Sequence, residues 1–366
     1  MKNRFLRKMM AATGLTSHGK LAEATATIQR ALAASLATPT VPRPAAAPSP
    51  AARTASRTAF GDLGGDSAST ATTATPERTK ASGRFASSSF TNASGTRAFK
   101  LFEPSERPDG PRPLVVMLHG CTQSPDDFAA GTRMNELAQA QGVYVLYPEQ
   151  AARSNVNRCW NWFVPADQKR GAGEPALIAG MTRHVMQTHA IDADRVFVAG
   201  LSAGGAMAAI LAREYPDLFA AAGVHSGLRA GAAHDVASAF GAMKSGPSSA
   251  GRAHPSAPMI VFHGSADSTV APANGDAVVA AALGTAPAAV AAEERGRTGP
   301  GRSWRRTQWH AEAGDRISSA EHWVVEGSPH AWSGGSSTGS YTDPSGPDAS
   351  AEMLRFFLEH PRPQHG

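Results

Sequence analysis

The run Gly200-Leu201-Ser202-Ala203-Gly204 constrains this chain more than any other stretch. It directly follows the apolar segment Arg195-Val196-Phe197-Val198-Ala199. It directly precedes Gly205-Ala206-Met207-Ala208-Ala209-Ile210-Leu211. That order is strand, sharp turn, helix, with a serine at the apex. Small residues flank the serine because a bulky side chain there collides with the neighbouring strand and helix. Such a turn lifts the hydroxyl clear of the sheet edge, and the helix N-terminus behind it favours developing negative charge. Ser202 is therefore the candidate nucleophile.

A nucleophile on such a turn is followed in chain order by an acid and then a histidine. Pro258–His263 reads as a buried strand ending in Gly264-Ser265-Ala266-Asp267. Asp267 thus falls in a loop beyond a strand's C-terminal end, where open α/β sheets build their sites. Glu321–Glu326 reads as another strand, leading into Gly327-Ser328-Pro329-His330. His330 is the candidate base, with Asp267 fixing its tautomer. Asp276 reads as lying inside a helix, and His310 and His322 inside strands. His263 reads as packing at a strand end, and His225, at the end of the strand after the nucleophile helix, as a residue lining the pocket or lying just behind it. An oxyanion hole needs backbone N–H groups. Ala203 supplies one, and the loop His119-Gly120-Cys121-Thr122-Gln123 after strand Pro113–Leu118 supplies the other through Cys121.

The remaining pattern alternates strands and helices. Strands are predicted over Thr96–Phe102, 113–118, Val143–Tyr147, 195–199, Ala221–His225, 258–263, Arg306–His310 and 322–326. Helices are predicted over Asp126–Gln141, Pro175–Thr188, 202–214, about 232–244 and Ala349–Glu359. This predicts an α/β fold with a mostly parallel central sheet and helices on both faces. Gly284–Arg302, rich in Gly, Ala and Arg, reads as a mobile insertion. Trp160, Trp162, Phe163 and Trp332 are candidates for the substrate cleft, with Asn157, Arg158 and Asn161 as polar contacts.

Five motifs together resemble the esterase family of short-chain poly(3-hydroxyalkanoate), or PHB, depolymerases. They are His119–Gln123, Asn157-Arg158-Cys159-Trp160-Asn161-Trp162-Phe163, Gly200–Gly205, His263–Asp267 and His330-Ala331-Trp332-Ser333-Gly334-Gly335. The resemblance covers roughly residues 85–358. It implies an α/β-hydrolase fold and hydrolysis of short-chain polyesters or related esters. It also implies Ser202, Asp267 and His330 as the triad, with Cys121 and Ala203 as oxyanion donors. Pro329 stands before His330 where relatives usually carry glycine. The wider family includes feruloyl and acetylxylan esterases, so the resemblance leaves polyester and carbohydrate ester both open.

The net charge of +5 over 366 residues is unevenly placed. Residues 1–60 hold nine Lys and Arg against Glu23 alone, a charge of +8, so the remainder carries −3. Residues 1–36 read as a basic amphipathic helical extension, with Leu21, Ala24, Ile28, Leu32 and Leu36 at helical spacing. Residues 37–83, dominated by Ala, Pro, Ser and Thr, read as a disordered linker. Residues 84–360 read as the catalytic domain, and the short tail beyond leaves no room for a polymer-binding module. A cationic tail suits an anionic surface such as a coated polyester granule, or acts as a solubilising extension; no nucleic-acid partner is expected. The apolar stretch after Lys8 is short for a secretion signal, and no run reaches the length of a membrane span. The expected location is the cytoplasm, on granules, with secretion as the alternative. Cys121 and Cys159 read either as a disulfide, which favours export, or as two reduced packing thiols. Acyl transfer at such a triad calls for no cofactor and no metal.

Overall fold

The computed structural model describes residues 83–105, 110–247, 257–284, 291–310 and 318–362. Expectations for residues 1–82 lie outside them. Ten strands form one sheet: β1 Arg84–Asn92, β2 Gly95–Glu103, β3 Arg112–Leu118, β4 Tyr144–Pro148, β5 Ile191–Leu201, β6 Ala221–His225, β7 Met259–Gly264, β8 Ala291–Arg297, β9 Ser303–His310 and β10 Ser318–Val325. Their order is β1-β2-β4-β3-β5-β6-β7-β10-β9-β8. The six central strands, from β4 to β10, run parallel. Antiparallel strands close both edges. A short parallel pair, β11 Trp332–Ser333 and β12 Thr342–Asp343, lies apart from this sheet.

Period-two alternation sends successive side chains to opposite faces. Leu114, Val116 and Leu118 of β3, with Val196 and Val198 of β5, bury one face. Helices α3 (Gly173–Thr188), α4 (Ala203–Glu214), α5 (Val236–Ser245) and α6 (Ala273–Leu283) cover it. Val115, Met117, Phe197, Ile260 and Phe262 bury the other, under α1 (Pro125–Thr132), α2 (Met134–Gln141) and α7 (Ala349–Glu359). Coverage of both faces is why these central strands read as near-continuous apolar runs.

Three expectations change. Asp126–Gln141 is two helices, because Arg133 adopts φ 53° and ends α1. Its guanidinium meets Asp348, the N-cap residue of α7, at 2.8 Å. The predicted insertion contains β8, an edge strand paired antiparallel to β9. Gly296 belongs there because a Cβ would run into the indole ring of Trp304. Strand β1, absent from the sequence reading, pairs with β2 along its whole length.

The strand–turn–helix around Ser202 follows from steric need. A Cβ on Gly200 would stand 2.7 Å from the Leu118 carbonyl oxygen, and one on Gly204 would strike the same oxygen. β3, β5 and α4 therefore approach so closely that only glycine fits at these two positions. The turn places Ser202 at φ 57°, ψ −117°, a conformation that costs a non-glycine residue of order 1–3 kcal/mol.

Candidate active site

Ser202, Asp267 and His330 all follow the carboxyl ends of parallel strands: β5, β7 and β10. In the sheet these strands lie within the run β5-β6-β7-β10. The Ser202 N–H donates to the His225 carbonyl at 2.9 Å, which fixes the turn to the end of β6.

His330 Nδ1 donates to Asp267 Oδ2 at 2.7 Å. A carboxylate cannot donate, so this bond places a proton on Nδ1 of His330 and turns Nε2 away from Asp267. Asp267 Oδ1 accepts the N–H groups of Thr269 at 2.9 Å and Val270 at 2.8 Å. Burial opposes the charge on Asp267. Hydrogen bonds from His263 and His330 outweigh it and hold the carboxyl well below the usual carboxylate range. The rival Asp276 lies in α6 and faces Nδ1 of His322 at 3.6 Å.

Ala203 is the first residue of α4, so its N–H has no acceptor inside the helix. Cys121 lies on the loop after β3. Among the described residues neither N–H donates to a protein acceptor. The loop carrying Cys121 is tied from several sides. Gly120 N–H donates to Gln123 Oε1 at 2.8 Å, and Thr122 N–H to the Asn157 carbonyl at 2.6 Å. Cys121 is joined to Cys159 by a disulfide.

His119 anchors the same loop. Its Nδ1 donates to the Gly120 carbonyl at 2.8 Å, its Nε2 accepts from Gln150 N–H at 3.1 Å, and burial pulls it down to about 4. Behind it, Glu174 accepts from Asn161 N–H at 2.7 Å, from Asn161 Nδ2 at 2.9 Å and from Gln150 Nε2. Burial, aided by the nearby Asp167 charge, pushes Glu174 up to about 7 against these donors and Arg97.

Six non-glycine residues among those described have positive φ: Thr122, Arg133, Arg158, Ser202, Ser226 and Tyr341. All but Arg133 lie on the serine turn, beside it at the end of β6, or on loops tied to the Cys121 segment. Thr122 and Tyr341 meet there through their hydroxyls at 3.2 Å. Backbone strain of this kind clusters where surrounding structure fixes a functional geometry.

The expected cleft residues require correction. Trp160, Trp162, Trp332 and His225 are all buried and underlie the site. Trp160 Nε1 donates to the His119 carbonyl at 3.1 Å, and Trp332 Nε1 to Ser350 Oγ at 3.0 Å. Trp162 packs edge-on against the half-buried Phe163. His225 is stacked between Phe262 and Trp332, and its Nε2 accepts from Ser333 N–H at 2.9 Å. Burial, with His263 and His330 nearby, holds it well below the ordinary histidine value, so it is neutral. Asn161 is spent on Glu174 and Asn155. Gln123, Gln150 and Glu174 were not singled out from sequence, where nothing marks them except position near a motif.

A mostly parallel sheet with helices on both faces and a strained serine between β5 and α4 defines the α/β-hydrolase class. Residues 98–303 match the family Esterase PHB depolymerase, and the chain belongs to that family. It is 39% identical over 196 residues to poly(3-hydroxyalkanoate) depolymerase C of Paucimonas lemoignei, covering 50% of this chain and 47% of that one. It is 34% identical over 140 residues to feruloyl esterase B of Thermothelomyces thermophilus, covering 38% and 47%. The chain spans about half the length of these curated relatives. An acetyl xylan esterase from Aspergillus awamori shares the fold, with a TM-score of 0.58 at 20% identity, over 75% of this chain and 99% of that one. No helix among the described residues is long and apolar enough to cross a membrane.

Proposed function

We propose that this protein is a serine esterase that hydrolyses short-chain polyhydroxyalkanoate to 3-hydroxybutyrate and its oligomers. The observation that carries the reading is the 2.7 Å bond from His330 to Asp267, on strand ends at the same edge of the sheet as the strained Ser202. His330 Nε2 takes the Ser202 proton as the hydroxyl oxygen attacks the ester carbonyl. The N–H groups of Ala203 and Cys121 receive the oxyanion. His330 then protonates the leaving alkoxide, and water repeats the sequence to release the acid. Asp267 stays ionised throughout, because its four donors favour the charged form. The polyester assignment draws support from family membership and from the Paucimonas relative, whose name states that substrate class.

The Cys121–Cys159 disulfide supports an oxidising compartment over the cytoplasm. The basic extension is the candidate granule-binding element. The second reading is a carbohydrate esterase of the feruloyl or acetylxylan type, favoured by the likeness to feruloyl esterase B. The test is incubation with amorphous poly(3-hydroxybutyrate) granules, with Ser202→Ala as control. Release of 3-hydroxybutyrate by the wild type alone supports the polyester reading. Hydrolysis of feruloylated or acetylated xylan without release from granules moves the assignment to carbohydrate esters. Wild-type activity in Ser202→Ala removes the nucleophile.

A further inference from the structure

His263 closes β7 and is buried. Its Nε2 lies 2.9 Å from the Val270 carbonyl and 3.5 Å from Asp267 Oδ2. Both are acceptors, so Nε2 carries the proton and shares it between them. Asp267 Oδ2 therefore faces two imidazole N–H groups, those of His330 and His263. Nδ1 of the same ring is buried and has no partner among the described residues.

Nδ1 faces a second atom in the same condition. Nε2 of His322, on β10, is buried and also lacks a partner. The two nitrogens stand 3.0 Å and 2.9 Å from the point where a Cβ on Gly275 would sit. Burial pulls His322 down to about 3, so it is neutral. Its Nδ1 lies 3.6 Å from the carboxylate of Asp276. Two buried, unpartnered nitrogens thus converge beside Gly275. The other ionisable groups near His263 are Asp267 on the loop after β7 and His225 on β6.

We propose that His263 is a positioning residue of this active site: its Nε2–H anchors Asp267 beside His330. The proposal rests on reading Ser202, Asp267 and His330 as a triad. The arrangement also explains Gly275, since any side chain there would fill the space between the rings.

The imidazole nitrogens of the full chain are read first by 15N NMR. A protonated Nε2 on His263 is expected, and the opposite tautomer overturns the proposal. His263→Leu and His263→Gln are then compared on a soluble p-nitrophenyl ester. Glutamine keeps an N–H near the position of Nε2, whereas leucine keeps none. The leucine variant should lose kcat by on the order of tenfold with KM unchanged, because small displacements of catalytic groups are costly. The acid limb of its kcat/KM profile should rise, since Asp267 then gives more of its charge to His330. Glutamine should restore most of kcat. Equal activity of both variants and wild type overturns the proposal, as does equal loss in both. Should the leucine variant fail to fold, the glutamine variant is read alone: kcat and KM close to wild type are expected, and a loss of kcat of on the order of tenfold or more overturns the proposal. Fluorophosphonate labelling separates the two readings. A wild type that does not label at Ser202 removes the triad itself, whereas labelling of folded His263→Leu at the wild-type rate removes only the role of His263.

Discussion

Asp267 takes its backbone hydrogen bonds from residues two and three positions further along the chain. The Cys121 loop, across the site, is held by residues far away in sequence: a disulfide to Cys159, the Asn157 carbonyl and the Tyr341 hydroxyl. The Asp267 turn is thus mainly local, with Ser265 and Ala266 of its loop also bonded to Val325 and Ser328. The oxyanion side is assembled by tertiary contacts and is set only as well as those contacts are. The two sides also carry opposite electrostatics. Asp267 is stabilised in its charged form, whereas the Glu174 carboxylate behind the oxyanion loop is destabilised in its charged form.

The sharpest way to break the base side alone is Asp267→Asn. An amide can present a donor to His330 and select the wrong tautomer, so kcat should fall by about 10⁴. The amide also forgoes the stability that the depressed carboxyl contributes, so the melting temperature at neutral pH should fall. An unchanged melting temperature would show that the Asp267 charge does not stabilise the fold.

On the oxyanion side, Cys159→Ser should affect activity and stability together. Removing a crosslink of sequence separation 38 should cost about 3–4 kcal/mol in urea unfolding. A reduced kcat should accompany it as Cys121 loses its tether. Full activity in the destabilised variant would show that the loop holds itself.

pH separates the two sides next. Asp267 has a depressed folded value, so its contribution is present above the unfolded carboxylate range and is lost on acidification. Glu174 is raised from 4.5 to about 7. Its contribution is present below about 4.5 and is lost as pH rises through about 7. Between pH 5 and 8 the wild type should lose roughly 2–3 kcal/mol relative to Glu174→Gln. Parallel stability curves for the two proteins would mean that Arg97 already compensates the charge. The smallest effect is expected from Tyr341→Phe. Loss of one exposed hydroxyl contact to Thr122 should cost about 0.5–1 kcal/mol, measured by urea unfolding, with any kinetic change confined to the oxyanion step.

The same division governs what the chain disclosed before its structure was known. The serine turn is local: Gly200, Ser202 and Gly204 sit within one turn, and their spacing alone implies close packing. Asp267 and His330 are legible because each follows a recognisable strand. Glu174 and Gln150 carry no local pattern, since their partners come from other elements. The tryptophans show the limit of residue type. Trp160 and Trp332 lie within the motifs, yet burial makes them support for the site, and burial is a property of the whole fold. The break at Arg133 has a similar origin. Arginine is an uncommon residue at φ 53°, and here its partner is Asp348, far along the chain.

At the rim of the sheet, β8 is the outermost strand beyond β9 among the described residues. Its outward residues Glu293, Glu294, Arg295 and Arg297 are exposed and of both signs. Arg305 and Arg306 of β9 pair across to the two glutamates. A strand arriving from another molecule would have to desolvate this charged ladder before gaining its first hydrogen bond. The stretch that looked from sequence like a loose insertion thus acts as a guard against aggregation, letting an open ten-stranded sheet stay open at high concentration.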